Sequence, residues 1–234
     1  MQSNRKCVTL KTMINCQPKF FSIIFIGRQN PQILTHDFLL KNNIIPFDKA
    51  PFKDIVSKQP EDKPFSDFLS TPVLTKLTYK NINIVIEESR YQITDTANIS
   101  PLESPIIQFT KNYFSVLKYT PLGLGGFNFN YFISFGSKDE KLEFENSFIS
   151  DRNEIYKELG FTNFEVSLQL ACPFNQNKLE FAIARVTAND LAKVFNFNYE
   201  FRYKEIDSFL ANLDDIPILL KQITGMFAKL KIQC

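Results

Sequence analysis

The side chains equipped for chemistry are few and scattered. One histidine, His36, and four cysteines, Cys7, Cys16, Cys172 and Cys234, supply all the imidazole and thiol in a chain of 234 residues. Cys7, Cys16, His36 and Cys172 could offer zinc a tetrahedral set, but no Cys-x-x-Cys pair occurs and the intervals match no compact zinc motif. Free, reduced thiols in a cytosolic protein are the simpler expectation. His36 is the one side chain whose ordinary pKa lies near neutrality. A serine or cysteine nucleophile would have to use it as base. No Gly-x-Ser-x-Gly elbow is present to hold such a nucleophile, and beside Asp37 at the start of a short helix a surface role suffices for His36.

Adjacent acidic pairs occur at Glu87-Glu88, Asp139-Glu140 and Asp214-Asp215. Neighbouring residues on a strand point to opposite faces, so Glu87 and Glu88 would not share a metal ion or a proton. Asp214-Asp215 falls where a helix begins, and helix capping accounts for it. Glu87, Asp95 and Lys76 make a nuclease-like trio in residue type, without a recognisable spacing. Tyr199, Phe201 and Tyr203 alternate with Arg202 and Lys204, the combination with which an exposed sheet binds single-stranded nucleic acid. The alternative, that this aromatic face is core, is the favoured one. Gly123, Gly125 and Gly126 lie between a helix and a strand, the reverse of the strand-loop-helix order that cradles phosphate. They are expected to stop the helix and turn the chain into the strand. These residues nominate no catalytic group, no metal ligand and no cofactor-binding residue, and the expected protein carries no cofactor.

The elements that would position any site are those of an ordinary folded protein. Hydrophobic residues make up 44% and charged residues 22%, which excludes extensive disorder. A net charge of +2 provides no field for holding a nucleic acid or an anionic membrane, so nucleic acid is a disfavoured partner. The basic clusters Arg5 to Lys11 and Lys229 to Lys231 read as solvated ends. Phe20 to Ile26 is far shorter than the roughly 20 residues of a membrane helix, and no signal-peptide cleavage pattern follows it. The expectation is a cytoplasmic protein without membrane association. The chain has 25 phenylalanines and no tryptophan, which an AT-rich coding sequence explains, as does a wide aromatic sheet face packed on a partner.

Along the chain, Phe20 to Ile26 reads as a buried strand and Thr35 as the N-cap of a short helix through Asn42. Pro46 to Pro72 holds five prolines and reads as a long connection, a lid or a partner-contacting arm, with one short helix at Phe65 to Leu69. Val73 to Tyr79, Ile82 to Glu87 and Arg90 to Thr94 form a meander. A helix over Pro101 to Tyr119, with Ser100 as N-cap, or beginning instead at Ser104, presents Ile106, Phe109, Tyr113, Val116 and Leu117 as an apolar stripe. A strand at Phe127 to Phe135, a helix at Ser150 to Leu159, and strands at Asn163 to Ala171, Lys178 to Thr187 and Lys193 to Tyr203 follow. The chain ends in a helix at Lys204 to Ala211 and another at Ile216 to Ile232.

Phe-Asn-Phe-Asn-Tyr occurs twice, at Phe127 to Tyr131 and at Phe195 to Tyr199. On strands, Phe127, Phe129 and Tyr131 should share one face and Asn128 and Asn130 the other, with the second copy alike. Pairing of the two strands would join the halves into one sheet. The expected fold is α+β, a largely antiparallel sheet with helices packed on one face and two similar halves. An N-terminal half, 1–140, and a C-terminal half, 141–234, would pack as one unit.

Asn30-Pro31, Asp37-Phe38-Leu39, Asn42 to Ile45, Tyr119-Thr120-Pro121 and Gly126-Phe127-Asn128-Phe129 resemble segments of sporadically distributed bacterial two-part α+β proteins. The resemblance covers about a fifth of the chain. It implies a cytoplasmic bacterial protein with no assigned reaction, in a mobile or defence-associated setting. The functional expectation is a non-enzymatic protein-interaction or assembly subunit, self-associating through an aromatic strand or the C-terminal helix, or binding a protein partner. A nucleic-acid-binding accessory protein and a metal-dependent hydrolase are the alternatives.

Overall fold

The computed structural model describes residues 14–45, 67–121, 123–149, 168–174, 177–185 and 190–233. The order is β1 (Ile14–Ile26), a 3-10 turn (Pro31–Ile33), α1 (His36–Lys41), β2 (Asp67–Ser70), β3 (Leu74–Tyr79), β4 (Ile82–Glu87), β5 (Arg90–Asp95) and α2 (Ile106–Val116). Then come β6 (Leu124–Ser134), α3 (Lys138–Ile149), β7 (Leu168–Phe174), β8 (Asn177–Arg185), β9 (Ala192–Arg202), α4 (Ile206–Leu213), α5 (Ile216–Lys229) and β10 (Ile232–Gln233). One sheet of ten strands runs β2-β3-β4-β5-β1-β6-β9-β8-β7, with β10 added beside β1. All its pairings are antiparallel except β1 with β10. The fold is α+β, as the residue patterns indicate.

The repeated pentapeptide forms the centre of the sheet. β6 and β9 pair so that Phe127 lies opposite Tyr199, Phe129 opposite Phe197 and Tyr131 opposite Phe195, with Asn128 against Asn198 and Asn130 against Asn196. Each copy therefore meets the other in reverse, about a local two-fold axis through Phe129 and Phe197. The aromatic set is buried. Onto it pack Phe227 of α5, 5.0 Å from Tyr131 by ring centroids, and Phe144 of α3 against Phe195. Phe25 on the same face of β1 meets Phe114 of α2 and Phe209 of α4. These aromatic contacts place α2, α3, α4 and α5 on one side of the sheet.

Several elements differ from the sequence expectation. Asp67–Ser70 is a strand where a helix at Phe65 to Leu69 is expected, because Thr71 closes a turn with Leu74 that lays β2 against β3. α2 begins at Ile106 rather than at Pro101 or Ser104: Pro105 occupies the N-cap, and Ser100 organises a separate turn through Glu103. Gly125 and Gly126 lie within β6 and neither stops the helix nor turns the chain. α3 precedes the expected helix start at Ser150. Its signal was present in Ser137-x-x-Glu140: Ser137 Oγ accepts from the Glu140 N–H, and Glu140 accepts from the Gly136 N–H. α5 ends at Lys229, where Leu230 caps it; Lys231, at φ 58°, then reverses the chain into β10. The expected connection over 46–66, the helix of 150–159 and the turn residues 175–176 lie outside the described residues.

Thr35 caps α1 as its position predicts, its hydroxyl accepting from the Phe38 N–H at 3.1 Å. Thr35→Ala is expected to lose about 1 kcal/mol of stability in urea unfolding, and Thr35→Ser to keep it. Equal stability of all three proteins would show that the cap contributes nothing.

Candidate functional site

The nuclease-like trio does not assemble. Asp95 lies on the helix-covered face, 4% exposed, where it accepts from Ser104 Oγ at 2.6 Å and from the Ala97 N–H at 2.9 Å. Glu87 and Lys76 are on the other face. The β4–β5 register sets Asp95 against Ile82 and Glu87 against Arg90, at opposite ends of the strand pair. Lys76 pairs instead with Asp67 at 3.3 Å. Asp95 thus closes the loop into α2, and a metal-dependent reaction has no site in these three residues. Among the described residues, no group of three or more His, Cys, Asp and Glu is placed to hold a metal ion.

The thiol expectation requires correction, because Cys16 is disulfide-bonded. A sulfur in a disulfide is not a thiolate, so it cannot be one of four zinc ligands. His36 opens α1, and its neighbour Asp37 pairs with Lys41. Asp214 pairs with Lys111 at 2.6 Å, and Asp215, the N-cap of α5, makes no side-chain capping bond. Their role is thus partly that of an ion pair between α2 and the α4–α5 corner.

Tyr199, Phe201 and Tyr203 are 1%, 1% and 6% exposed, so they are core, and no base could stack on them. Burial pushes the Tyr131 phenol up to about 12, and that of Tyr203 higher still. Arg202 and Lys204 remain exposed and share a shallow cleft of about 560 Å³ with Gly123 and Ser208. A second cleft, of about 720 Å³, lies where the chain leaves β1, with Arg28, Gln29, Glu88 and Pro72 among its lining. Ser89 and Glu88 line the second cleft and Ser208 and Lys204 the first, and neither lining includes a histidine or a cysteine.

On the face turned away from the aromatic core, the register aligns Thr78, Asn83, Thr94, Ser22, Asn128, Asn198 and Glu180 across seven strands. Asn128 donates to Ser22, and Asn198 to Glu180. A hydrogen bond from Lys178 holds the Glu180 carboxyl below its usual range. The row is a structural ladder whose members mostly satisfy one another.

What the structure adds is an edge. β6 and β9 each pair on both sides, so the aromatic strands offer no free backbone for self-association. Among the described residues β2 pairs with β3 alone, and all four of its residues are exposed. Phe68 and Leu69 on this strand, with Val73 in the turn, are 40%, 47% and 57% exposed, an apolar group at one end of the described sheet. The clue in the sequence was the Ser70-Thr71-Pro72-Val73 turn ahead of the meander. No protein-family description and no curated protein matches this chain.

Proposed function

We propose that this chain is a non-enzymatic interaction or assembly subunit that takes a protein partner on the exposed apolar side chains of β2 and the turn after it. The observation that carries this reading is the exposure of Phe68, Leu69 and Val73 together at one end of the described sheet. A partner seated there would bury the side chains of Phe68, Leu69 and Val73. The resemblance to sporadically distributed bacterial proteins supports a bacterial complex, in a defence-associated setting.

The test is the solution mass of the chain isolated from its source cells, beside a Phe68→Lys/Leu69→Lys variant. Both positions are exposed, so the variant should fold with stability near that of the original chain. The expected result is a stoichiometric complex or discrete oligomer for the original chain and a monomer for the variant. A bare monomer in both, or a complex indifferent to the two lysines, would overturn the proposal.

A further inference from the structure

We propose that the cleft between the end of β9 and the start of α4 is a binding site for a phosphate group carried by a small soluble molecule. The chain leaves β9 at Arg202, crosses Tyr203 and Lys204, and enters α4 at Ile206 with Glu205 as N-cap. This is the strand-loop-helix order that presents backbone N–H groups to an anion, the order that the glycines ahead of Phe127 lack. Gly123, Arg202, Tyr203, Lys204 and Ser208 line the cleft, which holds about 560 Å³.

Their chemistry is that of an anion site. Phe209 makes a first-turn bond of α4, its N–H donating to the Glu205 carbonyl at 3.2 Å. The N–H groups of Ile206, Asp207 and Ser208 precede it, and the Glu205 side chain caps none of them. Arg202 and Lys204 are exposed, and among the described residues neither forms an ion pair. Glu205 and Asp207 are exposed too, but neither lines the cleft.

Tyr203 is the second sign of a ligand. It is 6% exposed, its ring packs on Phe25 and Phe209, and its hydroxyl meets no hydrogen-bond partner in the protein. Buried hydroxyls are normally paired, and a phosphate oxygen in the cleft that Tyr203 lines would accept from this one. Two cations, the hydroxyls of Tyr203 and Ser208 and a helix N-terminus match a doubly charged tetrahedral acceptor better than a carboxylate. The Arg202 guanidinium can hold two oxygens of such a group at once. The volume suits a phosphate with a small organic group attached. β9 stands six strands from β2 in the sheet, so this site is separate from the apolar surface there.

The test titrates the full chain by calorimetry with sodium phosphate and with glycerol phosphate, each against sodium chloride of equal ionic strength. Saturable binding of one phosphate group per chain is expected, and the tighter ligand tells free phosphate from a phosphate ester. Arg202→Gln and Lys204→Gln, both at exposed positions, should each weaken binding about tenfold. Tyr203→Phe should weaken it several-fold while unfolding in urea no earlier than the original chain, since it removes a hydroxyl that has no protein partner. Heats no greater than those of chloride, affinity unchanged in Arg202→Gln and Lys204→Gln, or affinity unchanged in Tyr203→Phe would each overturn the proposal. Retention only on vesicles of phosphatidylcholine and phosphatidic acid, with neither soluble phosphate bound, would overturn it as well.

Discussion

Glu145→Ala is expected to destabilise the fold by about 3–5 kcal/mol, because it removes the carboxylate paired with a buried ammonium. Lys193 lies at the end of β9 with no solvent exposure, and its Nζ is 2.8 Å from Glu145 Oε1 on α3. Lys141, one turn before Glu145, stands 3.9 Å from the same oxygen. The pair ties α3 to the edge of the aromatic core, where Phe144 packs on Phe135 and Phe195. Net attraction between buried ions is offset by their desolvation, so losing both charges together should cost far less than losing one. The measurement is urea unfolding of Glu145→Ala, Lys193→Met and Glu145→Leu/Lys193→Met. The double variant should regain most of the loss of the singles. A loss below about 1 kcal/mol in Glu145→Ala would mean that Lys193 can reach water without cost.

How far the fold could be read in advance depended on the range of the interaction. The Phe-Asn-Phe-Asn-Tyr repeat predicted alternation and strand pairing, and β6 and β9 meet with Phe129 opposite Phe197. Thr35, the meander and the apolar face of α5 were legible for the same reason, since a cap, a tight turn and a stripe at helical spacing are local patterns. β2 was misread as helix because its state depends on β3, not on Asp67–Ser70 alone. β10 was misread because the stripe of α5 runs on through Leu230, whereas the helix ends at that cap, Lys231 reverses the chain and Ile232 pairs with β1. The site was less legible still. Burial of Tyr199, Phe201 and Tyr203 follows from the pattern, but the exposed edge follows from the strand order, and no short motif encodes that order. The disulfide of Cys16 was not legible, because four cysteines in no recognisable motif do not say which of them are oxidised.

Glycine gives the second large effect, and its sign depends on position. A Cβ on Gly123 would fall 1.6 Å from the Ile26 carbonyl oxygen, and β1 backbone cannot yield as a side chain would. Leu124, the next residue, already pairs with Ile26, so the clash lies at the first rung of the β1–β6 ladder. Gly123→Ala should therefore force the start of β6 away from β1 and cost about 3 kcal/mol or more. Gly225, exposed within α5, would place its Cβ with nothing inside 4 Å. Gly225→Ala should gain about 0.5–1 kcal/mol, from helix propensity and a less flexible unfolded chain. Urea unfolding of both variants beside the original chain separates backbone approach from chain entropy. If Gly123→Ala unfolds at the original midpoint, β6 does not start in contact with Ile26, and the positioning of β6 beside β1 must rest on the aromatic pairs alone.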